Sequence, residues 1–228
     1  MPGQIVLAGG EEFRAGCEDM DREVMRASGK DPAQVIIIPT AAVTGPAKAA
    51  NDGVTYFAAL GGVATQLMVL DGGQANDTEF IQPVATADVV YFTGGSPDHL
   101  LSVLRDSELL RLLMVGVERG MVVGGSSAGA MVMGSMMRRP SAGGWVEGLG
   151  IVPGVSVLPH HERSDPATTA RQIQETAASD TICLGIDART GCLGSPNDWR
   201  VVGSGKVTVY QAGEFAVFNS GEKLPEGF

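Results

Sequence analysis

The sequence predicts an α/β domain built on a mainly parallel sheet, and three observations carry that reading. Through residues 1–130, short β-branched runs alternate with longer helical stretches, which implies strand–helix–strand units with right-handed crossovers. Several strand candidates are apolar on successive residues, as in Val35-Ile36-Ile37-Ile38, and so suit strands covered on both faces. Three early strands end in glycine pairs, Gly9-Gly10, Gly94-Gly95 and Gly124-Gly125. At a strand's carboxyl end such pairs bring backbone close to a ligand, although glycine also simply makes turns.

Taken in order, strands are predicted at 5–7, 35–38, 64–70, 89–92 and 121–123, and helices at 12–28, 47–60, 98–104 and 107–119. The last helix sets Leu109, Leu112, Leu113 and Val117 at helical spacing, with Ser107 as its cap. After Ala130 the pattern loosens. The helix there is expected to run on to Met137, followed by a loop over 140–150, a strand at 155–158 and a helix over 165–179. A strand at 181–186, a polar turn and antiparallel pieces at 201–202, 207–210 and 214–218 complete the chain. No linker or repeat interrupts it, so 1–228 reads as one domain.

Composition bounds the partners. The 228 residues are 44% hydrophobic and 18% charged, which excludes wholesale disorder. Net charge is −10 and the pI is near 4.7. The densest basic cluster is Arg138-Arg139, too little for a phosphate backbone or an anionic membrane. No apolar run approaches the ~18 residues of a spanning helix. The N-terminus passes straight into a strand without signal-peptide regions. Cys17, Cys183 and Cys192 are odd in number and lack CxxC spacing, so no disulfide framework is expected. The expected location is the cytoplasm.

The chemistry gathers at the third glycine pair. Gly125-Ser126-Ser127-Ala128-Gly129 fits G-x-S-x-G between a strand and a helix, the setting of a nucleophile elbow. Only Ser127 has glycine two residues before and two after it. A serine nucleophile needs a base, and there are three histidines. His99 opens a helix, whereas His160 and His161 follow the 155–158 strand, where loops could face the elbow. An orienting carboxylate would hold the imidazole; Asp187 at a strand tip is the first candidate and Glu147 its rival. No metal is expected, because the cysteines are scattered and adjacent His160 and His161 would diverge. Walker and dinucleotide patterns are absent.

On these residues the chain resembles peptidase family S51, the serine peptidases that include cyanophycinase and aspartyl dipeptidase (peptidase E). The matching segments are 5–10 (IVLAGG) with Glu11, 35–40 (VIIIPT), 92–95 (FTGG), 124–130 (GGSSAGA), 148–154 (GLGIVPG) and 184–187 (LGID). They occur in family order. The resemblance implies a class I glutamine-amidotransferase-like three-layer α/β/α sandwich, with a serine in place of the amidotransferase cysteine and a small antiparallel C-terminal part. It implies Ser127 as nucleophile, His160 as base, Asp187 as acid with Glu147 as the alternative, and oxyanion-hole amides at Gly95 and Ala128. No cofactor is implied.

The expected substrate is a small peptide or isopeptide, with an aspartyl residue beside the scissile bond as one option; a homodimer is left open. Departures follow the histidine. His161-Glu162-Arg163-Ser164-Asp165-Pro166 stands where cyanophycinase-like sequences carry an aromatic residue and closely spaced arginines, so a different substrate is expected. Arg163 and the Arg138-Arg139 pair are candidates to bind a substrate carboxylate in two-pronged fashion, against a plain reading as surface charges.

Overall fold

The computed structural model describes residues 3–139, 143–177, 181–195 and 198–225. In chain order the elements are β1 (Ile5–Ala8), α1 (Glu18–Ala27), β2 (Gln34–Ile38), α2 (Pro46–Ala59), β3 (Val63–Gln66), α3 (Gly72–Asn76), β4 (Val89–Phe92), α4 (Pro97–Leu104), α5 (Glu108–Glu118), β5 (Val122–Ser126) and α6 (Ala128–Met131). There follow β6 (Met136–Arg138), β7 (Trp145–Glu147), β8 (Val155–Pro159), α7 (Pro166–Thr176), β9 (Ile182–Ile186), β10 (Thr190–Ser195), β11 (Asp198–Gly203), β12 (Lys206–Gln211) and β13 (Glu214–Asn219).

The central sheet runs β11-β10-β1-β5-β4-β2-β3. Its β3-to-β1 part is parallel, and β10 and β11 add an antiparallel edge. Successive strand residues feed two different cores, which is why these strands read as unbroken apolar runs. Leu7, Ile36, Ile38, Val90 and Val123 pack on one face with α4 and α5. Val6, Val35, Ile37, Val89 and Val122 pack on the other with α1 and α2. The result is the expected layered α/β/α arrangement. A second sheet, β13-β12-β9-β8, joins the first of these cores through Val155, Leu184 and Val207.

Three expectations are corrected. The helix predicted over 12–28 begins only at Glu18. The helix predicted to reach Met137 stops at Met131, because the next carbonyls are claimed by a distant segment. Val132, Met133 and Gly134 accept from the amides of Leu149, Val152 and Gly150, and β6 then pairs antiparallel with β7 inside the predicted 140–150 loop. The polar turn expected after Ile186 contains β10, paired antiparallel with β1. Residues 140–142 of that loop and 178–179 of the predicted 165–179 helix lie outside the described residues. Among the described residues no helix is long and apolar enough to cross a membrane.

One core residue breaks the apolar pattern. Asp21 on α1 is fully buried and its carboxylate oxygens have no hydrogen-bond partner. Burial pushes its pKa up to about 7, with the nearby Tyr56 hydroxyl pulling the other way. An acid with a raised folded pKa costs stability as pH climbs from its unfolded value, near 4, to the folded one. Asp21→Asn should therefore gain on the wild type through that window and hold the gain above it. At roughly 1.4 kcal/mol per unit and about 2–4 °C per kcal/mol for a chain of this size, Tm should rise by about 5 °C or more at pH 8 and by little at pH 4.5. A Tm difference independent of pH would refute the assignment.

Candidate active site

The loops leaving the carboxyl ends of β1, β4 and β5 border a cleft of about 730 Å³. Glu12, Arg14, Gly94, Gly95, Ser127 and His160 line it, and Lys48, Asn51, Asp52 and Thr55 of α2 form its far wall. The second glycine pair thus lines the cleft, and the first follows β1 directly.

Ser127 occupies the turn between β5 and α6 at φ 50° and ψ −108°. A non-glycine residue held there stores about 1–3 kcal/mol of backbone strain. The strain is maintained by two contacts: Ser127 N–H donates to Ala8 O on β1 at 2.9 Å, and Gly125 lies directly against Gly129. A Cβ on Gly125 would come within 2.5 Å of the Gly129 carbonyl carbon, and one on Gly129 within 2.6 Å of Phe92 O, so the turn needs glycine on both sides. Its neighbour Ser126 is fully buried and turned away, donating to Glu12 Oε2 at 2.8 Å.

His160 is held just as firmly. Its backbone is left-handed, at φ 53° and ψ 40°, and its N–H donates to Gly9 O at 2.9 Å. The ring lies over Gly10, where a Cβ would stand 2.2 Å from Cε1; the first glycine pair is the seat of the histidine. Nδ1 is buried without a hydrogen-bond partner. Between Ser127 Oγ and this ring no hydrogen bond is formed among the described residues, and such contacts commonly tighten only once substrate is bound. The other two histidines are engaged elsewhere. His161 is 3% exposed and bonds Tyr210 Oη at 2.6 Å, with burial lowering its pKa. His99 Nε2 meets Leu70 O at 3.0 Å.

The second glycine pair divides its amides. Gly94 N–H donates to Glu12 Oε1 at 2.7 Å, while the amides of Gly95 and Ala128 donate to no acceptor among the described residues. Gly95 lines the cleft, and Ala128 directly follows the lining residue Ser127. Glu12 was missed in the sequence because it fell inside a predicted helix. The three thiols offer no rival nucleophile: all are buried, and burial raises Cys17 and Cys183 to about 12. No cluster of His, Cys, Asp and Glu among the described residues could hold a metal.

The remaining candidates are placed less simply. Asp187 follows β9 as expected, but its Oδ2 accepts from Lys206 N–H at 3.0 Å, and the histidine it acts on electrostatically is His161. Glu147 is exposed on β7, outside the cleft lining. The carboxylate that feels His160 is Glu162, whose Oε2 accepts from Ala188 N–H at 2.8 Å. Arg163, the expected carboxylate reader, does not line the cleft: it is 70% exposed and pairs with Glu162 at 3.2 Å. Arg139 pairs with Asp98 at 2.9 Å, and with Arg138 it lines a separate cavity of about 430 Å³.

The acid can be ranked by experiment. If Asp187 swings onto Nδ1 during turnover, Asp187→Asn should cut kcat by about 10²-fold or more and exceed both Glu162→Gln and Glu147→Gln, because an amide favours the wrong tautomer. A larger loss in Glu162→Gln would move the role there.

Residues 5–194 match peptidase family S51. A cyanophycinase from Geminocystis herdmanii (strain PCC 6308) is 30% identical over 97% of this chain and 85% of its own. One from Synechococcus elongatus is 32% identical over 63% of this chain, which spans 48% of that protein. Among solved structures, a peptidase from an acI-B1 Actinobacterium superposes with TM-score 0.85 at 27% identity, covering 98% of this chain and 97% of that one. A candidate peptidase E from Listeria monocytogenes EGD-e shares the fold, with TM-score 0.60 at 16% identity over 99% of this chain and 100% of that one. The chain belongs to peptidase family S51 and is a serine-type hydrolase.

Proposed function

We propose that this hydrolase cleaves a small peptide or isopeptide through an acyl-enzyme on Ser127. One observation carries the reading: a strained serine, the His160 imidazole and Gly95, whose amide has no acceptor among the described residues, line a single cleft. Ser127 Oγ attacks the scissile carbonyl and His160 takes its proton. The amides of Gly95 and Ala128 stabilise the oxyanion of the tetrahedral intermediate. Collapse expels the amine, which leaves with the proton from His160, and water then attacks the ester by the same route. Protonation of the ring requires a partner for buried Nδ1, the part assigned to Asp187.

The relatives named cyanophycinase favour an isopeptide as substrate, with an aspartyl residue beside the bond as the first choice to test. The residues after His160 favour a different sequence around that bond. Labelling by a fluorophosphonate probe, lost in Ser127→Ala, would support catalysis at this serine over a non-catalytic binding role. Turnover of α- or β-aspartyl dipeptides or of cyanophycin, in preference to simple esters, would support the peptidase reading. Preference for esters would replace it with a general esterase.

For the carboxylate reader the proposed residue is Arg14 in place of Arg163. Arg14 lines it, whereas Arg163 does not. Arg14→Met should raise KM about 10-fold for a peptide with a free carboxylate near the scissile bond and leave a neutral analogue within about 2-fold, the scale of one charge-assisted contact. Arg163→Met should move neither. Equal effects of Arg14→Met on both peptides would remove Arg14 from the pocket.

A further inference from the structure

We infer that Glu12 is the positioning residue that holds the serine turn and the Gly94-Gly95 loop in catalytic register; this rests on Ser127 being the nucleophile. Its two carboxylate oxygens serve two loops. Oε1 accepts the Gly94 N–H at 2.7 Å, 82 residues away in sequence, and Oε2 accepts the Ser126 hydroxyl at 2.8 Å, 114 residues away. In both loops Glu12 takes the residue just before the working one. Gly94 and Ser126 are tied down, and Gly95 and Ser127 are left facing the cleft.

The chemistry of the residue suits the task. A carboxylate only accepts, so it can satisfy two donors at once without offering a proton to either loop. Hydrogen bonds to a charged acceptor are about twice as strong as neutral ones. Glu12 is itself held in place. Its neighbours Glu11 and Phe13 both have φ 61°. The Phe13 ring sits among Tyr56, Phe57 and Tyr91 at 5.6, 6.0 and 5.7 Å between centroids, and Cys17 Sγ donates to Glu11 O at 3.2 Å. A strained loop with an aromatic anchor beside the carboxylate is a rigid mount. Catalytic geometry needs that rigidity, since misplacement by about 1 Å can cost ~10²-fold in rate.

The test uses the whole chain and a fluorophosphonate probe, with the maximal labelling rate kinact and the half-saturating concentration KI measured separately. Glu12→Ala should lower kinact about 30–100-fold while KI stays within about 3-fold, the scale of a disturbed oxyanion site. Glu12→Gln keeps one acceptor and should recover most of that rate. Ser126→Ala keeps the charge and cuts one tie, and should cost about 3–10-fold. If Glu12→Ala fails to fold, as judged by its Tm, Glu12→Gln and Ser126→Ala decide alone. Labelling at Ser127 that is indifferent to these changes overturns the inference while leaving the nucleophile in place. So does a raised KI with unchanged kinact, which would make Glu12 a contact to the ligand. Wild-type protein that is not labelled at Ser127 overturns both readings together.

Discussion

Ser127→Ala is expected to abolish hydrolysis, lowering kcat by at least about 10⁴-fold, while the protein stays folded. Removing a serine nucleophile from such a site costs between about 10⁴ and 10⁶ in kcat, and the amides alone support only a small residual rate. Alanine leaves the turn intact. The Ser127 N–H to Ala8 bond and the Gly125–Gly129 contact are backbone features, so Tm should change by no more than a few degrees. Ser126→Ala provides the contrast. Its hydroxyl is buried against Glu12 and lies outside the cleft lining, so its loss should be a small fraction of that in Ser127→Ala. Comparable turnover by Ser127→Ala, or probe labelling at Ser126, would end the nucleophile assignment.

The fold was legible where strand residues alternate between two cores. Val35 to Ile38 divide between opposite faces of the sheet, and an unbroken apolar run is the direct trace of that division. It was illegible where distant backbone decides. Nothing in the sequence from Ala128 to Met137 announces that the carbonyls of Val132, Met133 and Gly134 will be taken by residues 149–152, so a plausible helix becomes one turn followed by a strand. β10 was hidden for a related reason. Thr190-Gly191-Cys192-Leu193-Gly194-Ser195 is small and polar enough to read as a turn, but its glycines admit close neighbours on both sides: a Cβ at Gly194 would lie 2.2 Å from Asp198 O.

The site divides in the same way. Ser127 was legible because a sharp turn imposes glycine at fixed local spacing, and His160 could be placed beside it through the family's motif order. Residues that act through long-range contacts were not. Glu12 gains its meaning only from bonds to Gly94 and Ser126, and Arg163 loses its expected role because a short 3₁₀ turn over His161–Arg163 carries it to the surface beside Glu162. At Gly9-Gly10 a simple turn was the preferred reading, yet both glycines are close approaches, and at Gly10 the approaching group is the His160 ring itself.

That seat makes the histidine testable without disturbing the backbone. His160 is left-handed, and asparagine tolerates that conformation better than most residues. His160→Asn should therefore keep the fold, fit over Gly10 with a smaller side chain, and lower kcat/KM by about 10³-fold or more, since serine loses its proton acceptor. His161→Asn is the matched control. It deletes the buried bond to Tyr210 and should lower stability by about 1–3 kcal/mol, with kcat/KM within about 10-fold of the wild type. If the large loss follows His161→Asn instead, the base is the buried histidine, and the cleft as described would have to rearrange to bring it to Ser127.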